Sequence, residues 1–377
     1  MHKFVFYSKV FMANRPLVIA EIGTGHGADF KKAEELICAA VESGAECVKF
    51  QHVYADEILH PATGMVELPG GMTPLYEVFK SIETGPEFIA RAKDKTEALG
   101  ACFLCSPFGI KSARELHNMG VQAVKIASPE LNHVELLKET ASYKLPLILS
   151  SGVSRLSDIE FALEIVRREG MQTALLHCIT AYPAPEEEFN LRLLPNLSAI
   201  FNVPTGLSDH SMDPLVVPGL AAALGAVIIE KHFCLSRSGD GLDDKIALVP
   251  EAFALMVKSI KNIAKLRHSL GNKAAIAELK KEYGANRIET ILGSGEKKLA
   301  ASEEDNYERT RRSIHAVKSI KKGEVFAESN IAALRSEKML KPGIHPRYLS
   351  FLKNRKAARD IPDGQGIVWD DIGDTCG

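Results

Sequence analysis

Between Arg15 and about residue 268, short apolar runs alternate with amphipathic stretches, and this alternation restricts the fold more than any other feature. The apolar runs are strand-like: LVIAEIG, CVKFQ, CFLCSP, AVKIAS, LPLILSS, TALLHCI, PTGLSDH and AVIIEKHF. Between them, apolar residues recur at helical spacing. DFKKAEELICAAVESG, for example, opens at Asp29, a natural N-cap, and closes near Gly44. Repeated βα units specify a parallel sheet. Eight of them predict a closed (β/α)8 TIM barrel over residues 15–270 rather than an open sheet. The connection from His52 to Gly85 is longer than such a unit needs and is rich in Gly, Pro and Thr, which marks it as functional.

Nearly every strand ends in a polar residue that a buried strand otherwise avoids. In order these are Glu21; Lys49 and Gln51; Ser106; Lys125 and Ser128; Ser150 and Ser151; His177; Ser208, Asp209 and His210; Glu230 and His232. A closed barrel gathers them on its C-terminal rim, where active sites of this fold lie. Within GLSDHS, the neighbours Ser208, Asp209 and His210 point in alternate directions, so they cannot hydrogen-bond one another as a catalytic triad. Ser208 and His210 share a face, one suited to a phosphate oxygen and the other to a metal. His232 ends the adjacent strand, and an imidazole pair with open positions suits Mn, Fe, Co or Zn as a Lewis acid. His26, in GTGHG, is a third candidate partner.

Lys49 and Lys125, with Ser106, Ser128, Ser150 and Ser208, would form a cationic pocket rich in hydroxyl donors. That chemistry fits a substrate bearing both phosphate and carboxylate. Lys125 is alternatively a Schiff-base nucleophile, as in aldolases.

Composition sets the remaining bounds. The formal charge of -2 leaves no basic excess to draw the chain onto nucleic acid or an anionic membrane. The longest apolar run, GLAAALGAVII, is too short to span a bilayer. Seven cysteines scattered through apolar segments read as reduced core residues of a cytoplasmic protein. Cys102 and Cys105 lie three apart on a strand and so face opposite sides, which argues against a shared zinc or a disulfide. Residues 1–14 read as an extension, because Ser8 and Lys9 break the apolar run a signal peptide needs. Residues 271–308 read as a charged linker with some helix. Residues 309–377 read as a compact module with short strands, holding the only tryptophan, Trp369.

With these motifs in place, the chain resembles the sialic acid (N-acetylneuraminate) synthase family, enzymes that condense phosphoenolpyruvate with an acetamido sugar. VIAEIGTGHGADFKKAEELICAAVESGAECVKFQ, LYEVFK, FLCSPF, VKIASPEL, LPLILSSGV, ALLHCITAYPAPEEEFNL, GLSDHS, IIEKHF and GLDDKIAL carry the resemblance. The C-terminal module resembles the β-rich antifreeze-like (SAF) domain of that family. GIHPRYL and ARDIPDGQGIVWDDI are similar to its spore-coat polysaccharide branch.

The resemblance implies that His210 and His232 hold a divalent ion, Mn2+ in the first place, with Mg2+ or Co2+ as alternatives. It implies that Lys49, Ser106, Lys125, Ser128, Ser150 and Ser208 bind phosphoenolpyruvate, and that Gln51 and Tyr182 serve the acceptor. Glu21 or Asp243 would handle the proton, while Arg335 would reach across a homodimer to a partner's sugar site. The implied reaction joins C3 of phosphoenolpyruvate to the acceptor aldehyde, with water adding at C2 and phosphate leaving by C–O cleavage. Departures fall on the acceptor side: Gly25 and Gly71 stand where the family has Asn, and Asp244 and Ala247 where it has His and Ser. The expected acceptor is therefore a modified acetamido or diacetamido hexose, with a 6-phosphorylated sugar as the alternative. A Schiff-base aldolase and a non-catalytic carbohydrate-binding relic are the rival readings.

Overall fold

The computed structural model describes residues 2–68, 71–239 and 241–375. Eight parallel strands form the barrel: β1 (Leu17–Gly23), β2 (Cys47–His52), β3 (Cys102–Pro107), β4 (Val124–Ile126), β5 (Leu147–Ser150), β6 (Thr173–Cys178), β7 (Thr205–Asp209) and β8 (Ile228–His232). Pairing runs β3-β2-β1-β8-β7-β6-β5-β4. The ring closes through β8 on β1, from Ile228↔Leu17 to His232↔Glu21, and β3 lies against β4. A helix follows each strand: α1 (Phe30–Glu42), α2 (Pro86–Ala98), α3 (Ile110–Asn118), α4 (Val134–Ser142), α5 (Leu156–Arg167), α6 (Leu193–Phe201), α7 (Val216–Leu224) and α8 (Pro250–Leu270). The Asp29 side chain caps α1 by accepting from Lys31 N, and Gly44 takes φ +92° just beyond its end. Among the described residues no helix is long and apolar enough to cross a membrane.

The strand period of two divides the core into two layers. Val18, Ala20, Val48, Phe50, Phe103, Cys105, Leu149, Leu207 and Ile229 face the helices. Leu17, Ile19, Cys47, Cys102, Leu104, Ile148, Leu176 and Ile228 fill the barrel's lower interior. Cys102 and Cys105 thus sit on opposite faces of β3. Gly206 is required where β7 crosses this interior, because a Cβ there would lie 2.2 Å from the Ile228 carbonyl oxygen. Two residues further up, the inward positions turn polar and the site begins.

The N-terminal extension is an antiparallel hairpin, Lys3–Phe6 against Lys9–Met12, turning through Tyr7 and Ser8, both at positive φ. That two-residue turn matches the twist of its strands. Phe4, Phe6 and Phe11 are buried with the lower interior residues and floor the barrel. The Gln172 side-chain amide donates to Val5 O and accepts from Val5 N, both at 2.9 Å, fixing the hairpin in place. Phe6→Ala is expected to lower stability by about 3–5 kcal/mol, read from urea denaturation.

Helix Asn272–Tyr283 packs against α7 and α8 and helix Ala285–Leu292 against α7, and both join the outer core through Ala275, Leu279, Ile288 and Ile291. The C-terminal module pairs Arg312–Ala316 with Ile331–Arg335 and Arg355–Ala357 with Ile372–Thr375. Its own small core includes Ile314, Phe326, Leu352 and Ile367.

Candidate active site

Above the apolar floor, one cavity of about 220 Å3 opens at the C-terminal ends of the strands. Glu21, Lys49, Gln51, Lys125, Ser128, Ser150, Tyr182, Ser208, His210, His232, Asp243 and Arg335 all line it. Ser151, His177 and Asp209, also read as strand-end polar residues, do not line it, and neither does Ser106. It is fully buried, and its hydroxyl makes no hydrogen bond. His26 is also elsewhere: it packs between Phe88 and Phe50 in the outer layer, its Nδ1 accepting from Ala28 N.

Register explains how the polar set converges. Lys49 is the β-partner of Glu21, and Glu21 of His232, so consecutive strands deliver inward side chains at one height. Lys49 Nζ lies 3.1 Å from Glu21 Oε2 and 3.3 Å from Glu230 Oε1. Gln51 donates to the other Glu21 oxygen at 2.7 Å. Lys125 donates to Ser150 Oγ at 2.6 Å and sits 4.0 Å from Glu230. Ser208 donates to Glu230 Oε1 at 3.0 Å. Glu230 thus orders both lysines, a role the sequence reading did not assign to it. Its position two residues before His232, on the same strand face, was the available signal.

Burial and charge compete here. Burial opposes the charge on Lys49, but Glu21 and Glu230 outweigh it and raise the pKa above an ordinary lysine. Lys125 is different: burial dominates, Glu230 only partly compensates, and its pKa falls to about 8. The Glu230 carboxylate is itself disfavoured by burial, yet Lys125 and Lys49 hold its pKa below the ordinary carboxylate range.

The two imidazoles face each other with ring centres 5.4 Å apart, and Tyr182 stacks on His210 at 4.3 Å. His210 Nδ1 donates to Ile179 O at 2.7 Å, so its Nε2 keeps a free lone pair. His232 Nδ1 lies 3.7 Å from Asp243 Oδ2. Burial lowers the pKa of both rings, which favours the neutral, ligating form. The donor set therefore fits a divalent ion held by two nitrogens with its other positions open. Among the described residues no cluster of three or more His, Cys, Asp or Glu side chains would hold a metal by itself.

The C-terminal module completes one wall. Arg312 is fully buried and donates to Glu130 Oε2 at 2.7 Å, to Phe108 O at 2.6 Å and to Glu57 O at 2.5 Å. Arg335 donates to Glu130 Oε1 at 2.7 Å, its guanidinium 5.5 Å from the Phe108 ring centre. Within a single chain, then, Arg335 already reaches this pocket. Burial works against the Glu130 carboxylate, but the two arginines hold its pKa well below the usual range.

A (β/α)8 barrel with a cationic, hydroxyl-lined pocket beside paired imidazoles, roofed by a small β-rich module, defines a class of sugar-acid synthases. The NeuB family model matches residues 36–274, and the SAF domain model matches residues 311–373. The chain is 37% identical over 360 residues to the spore coat polysaccharide biosynthesis protein SpsE of Bacillus subtilis, spanning 94% of this chain and 93% of that one. It is 31% identical over 364 residues to the N,N'-diacetyllegionaminic acid synthase of Legionella pneumophila, with 94% of each covered. The crystal structure of B. subtilis SpsE superposes with a TM-score of 0.81 at 35% identity, covering 99% of this chain and 100% of that one. The chain belongs to the NeuB family and is an enzyme with a C-terminal SAF domain, rather than a binding relic.

Proposed function

We propose that the protein condenses phosphoenolpyruvate with the open-chain form of an acetamido hexose, giving a nine-carbon sialic acid-type sugar and phosphate. One observation carries this reading: two buried lysines, three pocket serines and two facing imidazoles line one cavity. Lys49, Lys125, Ser128, Ser150 and Ser208 hold the phosphate and carboxylate and keep C3 aimed at the acceptor. A divalent ion held by His210 and His232, Mn2+ in the first place, supplies Lewis-acid polarisation of the acceptor aldehyde. C3 forms the new bond to the aldehyde carbon, whose oxygen takes a proton and becomes a hydroxyl. Water adds to the cation at C2 and loses a proton. The C2–O bond to phosphate then breaks as the new C2 hydroxyl gives up its proton to the departing phosphate and becomes the ketone, so the bridging oxygen leaves with phosphate. Glu21 and Asp243 line the pocket and are the carboxylates proposed to give and take these protons.

The acceptor is proposed to be an acetamido or diacetamido hexose of the legionaminic type, serving a surface or spore-coat polysaccharide; the named relatives support this. The local structure is consistent with a changed sugar. Asp244 accepts from Gly241 N at 2.9 Å, and a Cβ at Gly25 would lie 3.5 Å from its Oδ1. An Asn side chain at position 25 would therefore meet Asp244. Phosphate release with Mn2+ tests the reading, assayed with N-acetylmannosamine, its 6-phosphate and 2,4-diacetamido-trideoxyhexoses beside a chelator control. Chelator-sensitive release with one acceptor is expected; release independent of both acceptor and metal would overturn it.

The state of Lys125 makes a pH prediction. Its pKa of about 8 lies below that of a free lysine, so the charge that receives an anion is lost as pH rises through 8. kcat/KM for phosphoenolpyruvate is expected to fall roughly tenfold per unit above that pH, since this parameter follows the free enzyme. A flat profile to pH 10 would remove Lys125 from anion binding.

A further inference from the structure

The site's chemistry uses the inward side chains of β7 and β8 and leaves their outward neighbours unexplained. Asp209 and Lys231 are β-partners, each lying between two pocket residues in sequence, and both are buried. Lys231 Nζ donates to Asp209 Oδ2 at 2.8 Å, to Ser211 Oγ at 3.0 Å and to the Ser211 carbonyl oxygen. The other Asp209 oxygen accepts from Ser211 N at 2.7 Å. Both carboxylate oxygens and the ammonium are thus spent on one turn, residues 209–211, whose middle residue is His210.

A buried ion pair contributes little net stability over apolar residues of like volume, because desolvation offsets the attraction. An apolar pair would cover the same surface but could not dictate the path of the backbone over His210. From this geometry we infer that Asp209 and Lys231 are positioning residues that set the separation and orientation of His210 and His232, preorganising the pair for its ion. The clamp ties the end of β7 to β8 at the residue next to His232. The Ile179 carbonyl fixes the remaining freedom of His210, and Ala184 N donates to His210 O at 3.0 Å from the opposite side.

This inference rests on the two-histidine metal reading, and the test separates the two. The Asp209→Leu/Lys231→Met double variant removes both charges and keeps the volume buried. It is expected to fold, to bind Co2+ about 10–100-fold more weakly than the unmodified protein, and to keep KM for phosphoenolpyruvate within about twofold. In the metal-free double variant, the His210 and His232 ring nitrogen NMR signals are expected to shift. Unchanged Co2+ affinity together with unchanged ring signals would overturn the clamp, whatever the loss of stability. If the unmodified protein binds no Co2+, the metal reading falls, and the ring signals alone decide the clamp. Should the double variant fail to fold, Asp209→Asn keeps the shape, removes the charge and reads the same two signals.

Discussion

His210→Ala and His232→Ala are each expected to cut turnover roughly a thousandfold while leaving phosphoenolpyruvate affinity within about twofold. The asymmetry follows from the barrel's wiring. The imidazoles project from the ends of β7 and β8, whereas the lysines proposed to bind the anion rise from β2 and β4. The bond from His210 Nδ1 to Ile179 O leaves Nε2 as the only ring nitrogen available to an ion. If the pair holds the proposed ion, removing a ring removes charge stabilisation at the aldehyde oxygen and nothing at the phosphate. Steady-state kinetics with Mn2+ titration, beside direct phosphoenolpyruvate binding, checks both halves. Near-native, chelator-sensitive turnover in either variant would contradict the assignment.

Lys49→Met is expected to damage both fold and function. Lys49 is only 3% exposed and bridges two carboxylates. Its loss leaves Glu21 without its ion-pair partner and Glu230 with Lys125 alone, 4.0 Å away, costing about 3–5 kcal/mol of stability. It also deletes a charge-assisted donor proposed for phosphoenolpyruvate, so kcat/KM should fall roughly a hundredfold or more. Adding Glu230→Gln separates the effects: the double variant is expected to regain stability and no activity. Recovery of activity in it would mean that Lys49 serves only to neutralise Glu230. Denaturation midpoints and initial rates on the two variants are sufficient.

The rim was legible because strand alternation is local. Once Leu17 and Ile19 face inward, Glu21 must as well, and the same count places Lys49, Lys125, Ser208, Glu230 and His232. The count gives face and height but not lining, which is why Ser106, on the right face, still falls outside the cavity. His26 lay in a Gly-rich turn where no period applies, and tertiary packing took it to Phe88 and Phe50. The hairpin carried a readable cue in Phe4 and Phe6 two apart, but its partner surface is made by six distant strands. The Glu130, Arg312 and Arg335 cluster joins residues about two hundred positions apart. Periodicity holds no information at that range. In the stretch read as a linker with some helix, residues 272–292 form two helices of the outer layer, Asn272–Tyr283 against α7 and α8 and Ala285–Leu292 against α7, and their apolar faces have meaning only against those distant partners.

Phosphoenolpyruvate carrying 18O at the bridging C–O–P position, turned over with Mn2+ and the best acceptor of the panel and with both products analysed, distinguishes the proposed condensation from Schiff-base chemistry. The label is expected in the released phosphate, acceptor-dependent and lost with chelator, because C2 takes its new oxygen from water in the proposed reaction. Label retained in the organic product, or chelator-resistant inactivation by borohydride and pyruvate at Lys125, would contradict it and turn the pocket toward Schiff-base chemistry.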